Sequence, residues 1–526
     1  TVGWTGRYEN MNNIRVSTNG GLVTENWFDL NASRYTPSST LQRMELLKTG
    51  YMGTLSLGWD NYLFLELTGR QERSSTLKDQ SFFYPSANLS FLFTQAFHMP
   101  SWWNYGKLRL SYGIVGNAPE TYTANIVYEQ GSDNGFTWNT IPSSWGNADI
   151  RPEKKYEYEI GLESKFLNNR LGIDVSYYNN RVKDQILSTP QPSTSGVKNV
   201  LMNVGEVANH GWDISISATP ILTRDFRWDL TANYGVYKNK VVKLADGVPY
   251  LEILNSGGSG IKIQAVEGQP MGDIYAQVPQ VNENGEYLVS DKGLYLNQTE
   301  LQKVGNINPA GVGGLFNSFS YKNVFLDFSI DFRIGGDVIN EMNQYATAVG
   351  LTPESLKYRD TEHGGLSYYY PGDNSSSGIP VQVDPSTGVG PNGEIIYHDG
   401  IILPGVVAST GERNTRIIPA GYYYNTTYNW GTEAEQLTYR HSVFDNSYVK
   451  LRELTIGYQF PEKMISKLGL GRLSVSVFGR NLFYFYKALK NYDAESSVGT
   501  SWANQATVGS STTATRSFGV SLRASF

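Results

Sequence analysis

The sequence predicts an all-β protein: a transmembrane antiparallel β-barrel carrying long loops on one side. Three observations predict it. Apolar and polar residues alternate through segment after segment, the segments run to ten residues or more, and the connections between them alternate between short and long. Side chains in a strand point to opposite faces in turn, so alternation of this kind gives each segment one apolar and one polar face. Strands of soluble proteins usually stop at about five or six residues, whereas about 9 to 11 residues cross a bilayer.

Thirteen such segments follow in order, at about 44–58, 62–71, 82–96, 106–117, 156–167, 170–185, 209–221, 226–241, 315–322, 324–336, 447–460, 471–485 and 515–526. In 170–185, Leu171, Ile173, Val175 and Tyr177 form the apolar face against Gly172, Asp174, Ser176 and Tyr178. In 226–241, Phe226, Trp228, Leu230, Ala232 and Tyr234 oppose Arg227, Asp229, Thr231 and Asn233. In 324–336, Val324, Leu326, Phe328, Ile330, Phe332 and Ile334 oppose Asp327, Ser329, Asp331 and Arg333. Charges at mid-strand suit a wide, wet lumen. The last segment, "RSFGVSLRASF", sets Phe518, Val520, Leu522, Ala524 and Phe526 against Gly519, Ser521, Arg523 and Ser525. The first set is expected to face lipid, with Phe526 in the periplasmic aromatic girdle, and the second to face the lumen or plug.

The connections sharpen the reading. "DN" at 60–61, "NN" at 168–169, "LTRD" at 222–225, "KN" at 322–323 and the stretch Pro461–Leu470 are short; 118–155, 186–208, 242–314, 337–446 and 486–514 are long. Short turns on the periplasmic side and long loops outside are the rhythm of a bacterial outer-membrane barrel. On this count the first strand descends and residues 1–43 form an extracellular loop segment. Thirteen is odd, single-chain bacterial barrels have even strand numbers, and lipid tolerates no open sheet edge. The expectation is therefore that 44–526 is the C-terminal portion of a larger barrel. The lack of a signal peptide at "TVGWTGRYEN" agrees with a start inside a longer protein.

Composition removes other classes. Net charge is −6, which gives no basic footprint for nucleic acid. The absence of cysteine excludes thiol catalysis, disulfides and cysteine zinc sites. No stretch approaches the roughly 18 to 20 apolar residues of a membrane helix. His98, His210, His363, His398 and His441 show no metal-ligand spacing. "GVGPNG" at 388–393 matches G-x-G-x-x-G only formally, because Pro391 lies inside it and it falls within a long loop. Neither a catalytic constellation, a cofactor motif nor a metal site is expected.

Several blocks resemble one family. "SYVKLRELTIGYQFPEKMISKLGL…LSVSVFGRNLFYFYK" (447–487), "LRLSYGIVGN" (108–117), "IRPEKKYEYEIGLESKFLNNRLGIDVSYYNNRVKDQIL" (150–187), "NVGEVANHGWDISISATPI" (203–221), "GLFNSFSYKNVFLDFSIDFRIGGDVIN" (314–340) and the terminal "SFGVSLRASF" resemble the barrel strands of SusC/RagA-type TonB-dependent transporters. The resemblance implies a barrel of about 22 strands with an N-terminal plug and a TonB box, neither of which has a counterpart here. It also implies outer-membrane uptake of oligosaccharides or peptides, a SusD-like lipoprotein lid, the TonB complex as energy source, and room for a dimer of transporter–lid pairs. Two rivals remain: an adhesin or assembly scaffold that uses the same loops for protein contacts, and a soluble all-β carbohydrate-binding protein.

Ligand recognition is expected from loop aromatics, because exposed tyrosine and tryptophan offer a flat apolar face and a polar tip. Trp138 and Trp145 in "FTWNTIPSSW", the run Tyr368, Tyr369 and Tyr370, and Tyr423 and Trp430 in "GYYYNTTYNW" are the candidates. The alternative is that these rings pack the loops on one another. Arg109, Arg227, Asp327, Asp331 and Arg333 are expected to face the lumen or plug.

Overall fold

The computed structural model describes residues 1–78, 81–133, 136–256, 260–372, 378–429, 438–496, 501–509 and 514–526. Its main element is a sheet of fourteen strands in chain order. They are β1 (Val2–Leu22), β2 (Ser33–Trp59), β3 (Leu63–Ser74), β4 (Ser81–Phe91), β5 (Trp103–Asn117), β6 (Glu153–Phe166), β7 (Leu171–Lys183), β8 (Glu206–Leu222), β9 (Phe226–Lys243), β10 (Gly311–Tyr321), β11 (Val324–Ile334), β12 (Tyr448–Gln459), β13 (Arg472–Lys487) and β14 (Ser517–Ser525). Among the described residues no helix is long and apolar enough to cross a membrane.

The thirteen expected strands are all present, and one more precedes them. This corrects the reading of 1–43 as loop. β1 pairs with β2 from Val2 opposite Gly53 to Leu22 opposite Ser33. Its alternation holds at Val2, Trp4 and Tyr8 and again at Ile14 and Val16, but Asn10 and Asn12 interrupt the apolar face between them. Hydrogen bonding to β2 carries the strand through that polar gap. Fourteen is even, so the strand count itself gives no sign of a missing strand. A smaller correction concerns 82–96: β4 ends at Phe91 and Phe93–Ala96 is a single helical turn.

Tight turns explain the short connections. Asp60 and Asn61 are both left-handed (φ 47° and 58°), as are Leu167, Asn168 and Asn169. Aspartate and asparagine tolerate that region better than most residues, and two-residue hairpin turns require it.

By internal contacts the chain forms two compact units: Thr1–Asp213 with Lys238–Pro249, and Ile214–Tyr237 with Tyr250–Phe526. In the first unit β2 pairs with β3 only over Lys48–Trp59. The rest of the β1–β2 hairpin therefore runs on as a two-stranded ribbon. Leu77, Phe82 and Ile150 form a small buried cluster beside the sheet.

In the second unit the long connections are folded. Tyr250–Ser256, Ile261–Val266, Asp273–Ala276 and Gln302–Asn306 make a four-stranded sheet. Its Ile261, Ile263, Ile274 and Ala276 are completely buried together with Ile339. A second cluster joins Leu294, Ile401, Leu403 and Ile418. A third joins Tyr368, Tyr370 and Ile417.

Candidate functional site

The helix Ala420–Tyr428 brings three tyrosines to one place. Residues four apart lie on the same helical face, and the Tyr424 and Tyr428 rings are 5.7 Å apart, with Tyr423 5.1 Å from Tyr424. The Tyr424 hydroxyl donates to the Glu354 carbonyl at 2.8 Å, which fixes the helix against the turn Pro353–Leu356. Beyond the helix, the His441 ring stacks on Tyr428 at 4.4 Å and 15°. Burial and the neighbouring Arg440 hold the His441 pKa down at about 4, so the imidazole is neutral at physiological pH.

Tyr295 arrives from a different direction, on an eight-residue repeat. Residues 281–288, "VNENGEYL", are followed at once by 289–296, "VSDKGLYL". Each copy closes a turn in the same way. The Asn282 side chain accepts from the Glu286 amide at 2.9 Å and the Ser290 hydroxyl from the Leu294 amide at 3.3 Å. Gly285 and Gly293 supply the positive φ (79° and 87°) that the turns need. The repeat brings the Tyr287 and Tyr295 rings together, tilted by 50° with centroids 5.0 Å apart, and buries Leu294.

These pieces enclose a cavity of about 530 Å³ walled by Tyr295, Tyr358, Tyr423, Tyr424 and Tyr428, with the apolar strip 401–404 as a further wall. Glu354 and Lys357 are the charged groups on its lining. Burial works against the Glu354 carboxylate, yet hydrogen bonds from its own amide, Asn491 and Thr352 outweigh that and hold its pKa below the ordinary value. Burial first, then the crowding of neighbouring phenols, pushes Tyr295 and Tyr424 up to about 12. The hydroxyls therefore stay protonated. The volume is that of a small-molecule site, roughly 300 to 1,000 Å³.

Of the expected loop aromatics among the described residues, only Tyr423 lines this cavity. Tyr368 (1 % exposed) and Tyr370 are interior, which corrects their reading as ligand contacts. Tyr368 donates to Asp399 at 3.1 Å and stacks on Tyr397. Two β-sheet neighbours and Ile417 enclose these rings, so no face is left for a ligand. Tyr369 is half-buried at the end of the same strand. Trp138 is exposed on the hairpin of Glu129–Asp133 with Phe136–Thr140, and Trp145 packs edge-on against Tyr128. Trp430 lies outside the described residues.

The charged strand residues are mostly paired. Arg109 on β5 reaches across Gly161 to a bidentate contact with Asp174 on β7, at 2.6 and 3.1 Å. Arg227 pairs with Asp229 at 2.5 Å. Asp327 accepts from Ser318 at 2.6 Å, and Asp331 pairs with Arg452. Arg333 donates instead to the carbonyls of Gly335 and Ile307, at 3.1 and 2.9 Å, and so pins the start of a long connection. On β14 and just after it, Phe518, Val520, Leu522 and Phe526 are exposed at 73, 72, 68 and 98 %. Among the described residues no three metal-ligating side chains converge.

Residues 2–482 match the family described as TonB dependent receptor-like, beta-barrel. The chain belongs to this family. TonB-dependent receptor P3 of Formosa agariphila is 24 % identical over 494 residues, covering 85 % of this chain and 42 % of that protein. TonB-dependent receptor SusC of Bacteroides thetaiotaomicron is 30 % identical over 247 residues, covering 43 % of this chain and 24 % of that protein. Among solved structures, the RagAB peptide transporter superposes with a TM-score of 0.64 at 18 % identity, covering 91 % of this chain and 49 % of that one. The chain spans less than half the length of each of these relatives. As a family member it is an integral outer-membrane receptor barrel and not an enzyme.

Proposed function

We propose that this chain is the C-terminal barrel portion of a SusC/RagA-like importer that takes up peptides across the outer membrane. The long connections face outward and the apolar strand faces contact lipid. A SusD-like lipoprotein closes over the loops, and a plug carrying the TonB contact belongs to the rest of the polypeptide. The tyrosine-walled cavity carries the reading. The Tyr424 hydroxyl is committed to a backbone carbonyl, and one long wall is Ile401, Ile402, Leu403 and Pro404. A sugar lying along that strip would leave the hydroxyls that face it unpaired, at a cost of about 1 to 3 kcal/mol each. An apolar or aromatic peptide side chain would leave none. The likeness to a peptide transporter supports the same choice.

Mass spectrometry of the material that co-purifies with the full-length protein tests this. Peptides are expected, and Tyr423→Ala should lower their occupancy several-fold. Co-purified oligosaccharides would transfer the same site to glycans. A protein without a plug that retains neither class would favour the adhesin or scaffold.

A further inference from the structure

On the first unit, the apolar face of the sheet ends in a basic concavity at the end where the long connections begin. Cross-strand register fixes the face. Leu108, Leu162 and Val175 are opposite one another, then Leu110, Ile160 and Tyr177, then Tyr112, Tyr158 and Asn179, and finally Ile114, Tyr156 and Arg181. One step further, Lys154 is opposite Lys183. A continuous apolar surface thus passes through a tyrosine row into cations. Tyr112, Tyr156, Tyr158, Asn179, Arg181 and Lys183 line a concavity of about 410 Å³ there.

The charge balance at this place is positive. Arg181 is paired with Glu206 at 2.9 Å. Lys183 lies 5.9 Å from the Tyr156 ring centroid. Glu157 also lines the concavity, where its carboxylate is taken up by Lys155 at 2.6 Å and by the Asn180 amide at 3.2 Å. Lys238 and Lys240 continue the apolar register of β9 past Tyr234 and are both exposed. With the Glu157–Lys155 and Arg181–Glu206 pairs set aside, Lys154, Lys183, Lys238 and Lys240 leave the border of the apolar face positive.

We infer that this concavity binds a phosphate of the phosphorylated sugar lipid in the outer leaflet. The inference rests on the outward orientation of the long connections proposed above. Long basic side chains keep their stems on apolar surface and their heads at the interface. Charge-assisted hydrogen bonds to phosphate oxygens are the strong kind. Tyrosine rings at headgroup depth give the sugar backbone a flat face. Interfacial anchoring alone needs scattered cations, not two of them lining a ring-walled hollow.

Native mass spectrometry of the detergent-purified full-length protein tests the site, with bisphosphorylated lipid A, its dephosphorylated form, phosphatidylglycerol and inorganic phosphate as probes. Bisphosphorylated lipid A should give the dominant adduct. R181Q/K183Q should lose at least fivefold of it, and R181K/K183R should keep it. Heat-modifiable gel migration reports that each variant is folded. Equal adducts with dephosphorylated lipid A or phosphatidylglycerol, displacement by equimolar inorganic phosphate, or no loss in folded R181Q/K183Q would each overturn the inference. Peptide occupancy at the Tyr423 cavity is read in the same spectra. Loss of one signal without the other therefore tells which proposal has failed.

Discussion

The sheet and the long connections of this chain bury their apolar residues in opposite ways. In the sheet, Leu55, Leu57, Ile160, Leu162, Ile456, Val477 and Val520 are all exposed. In the connections, Ile261, Ile263, Ile274, Leu294 and Ile339 have no exposure at all. A water-soluble protein cannot leave a contiguous apolar surface of that extent open, so the sheet must find its apolar surroundings outside itself. The connections make their own. One polypeptide thus uses two solvents: lipid completes the strands, and a packed interior completes the loops. The same residue type, isoleucine, has the opposite environment in each.

Ile274→Ala is the strongest way to break the contrast from the loop side. A fully buried large-to-small change costs about 2 to 5 kcal/mol, and the cost should fall on the four-stranded loop sheet alone. Limited proteolysis should cut within 250–306 while heat-modifiable migration of the barrel stays unchanged. A variant that resists proteolysis like the parent would show that the cluster does not hold that region together.

Val477→Arg attacks the sheet side. Val477 is opposite Ile456 and Val520 on the apolar face, near the middle of β13. In a soluble sheet a charge at an exposed position costs almost nothing, whereas at the bilayer midplane it costs about 2 to 4 kcal/mol. Denaturant unfolding in liposomes should show that loss. An unchanged midpoint would place the face in water.

The two regions also differed in how far the sequence could be read. Strands of a barrel are legible because their surroundings are uniform. One face meets lipid and the other water, so period-2 alternation is imposed locally. All thirteen expected strands are present for that reason, and β1 escapes the pattern where Asn10 and Asn12 replace apolar residues. The loops offer no such rule. Tyr368 is interior and Tyr423 lines a cavity, yet both sit in runs of three tyrosines. What separates them is contact with Tyr397 and Ile417 in one case and with Tyr295 and Tyr358 in the other, across gaps that no periodicity spans. Part of the site did carry a signal. The doubled "V-x-x-x-G-x-Y-L" at 281–296 announces a repeated turn and two tyrosines in equivalent places, including Tyr295.

Acidification should affect the loops and spare the sheet. His441 titrates near pH 6.5 when unfolded and at about 4 in the folded loops. A depressed folded value means that this contribution is complete above pH 6.5 and is lost as pH falls from there toward 4. The loss is of order 1 to 3 kcal/mol, since one pKa unit corresponds to about 1.4 kcal/mol. Proteolytic susceptibility of the loops should rise across that window, and His441→Gln should flatten the profile. A profile unchanged in His441→Gln would assign the pH response to other groups.

The smallest effect belongs to the polar face of the sheet, where Arg109 bridges β5 and β7 over Gly161. Gly161 is what makes the contact possible: a Cβ there would lie 2.7 Å from the guanidinium. Both partners remain partly exposed, so solvent screens the pair. A double-mutant cycle with Arg109→Met and Asp174→Asn should give a coupling of about 0.5 to 1 kcal/mol, smaller still in high salt. Gly161→Ala should abolish most of that coupling with neither charge removed, because the added methyl displaces the guanidinium. A salt-insensitive coupling well above that range would mean that this face is shielded from water, and would bring the sheet's polar side closer to the buried loops than to an open lumen.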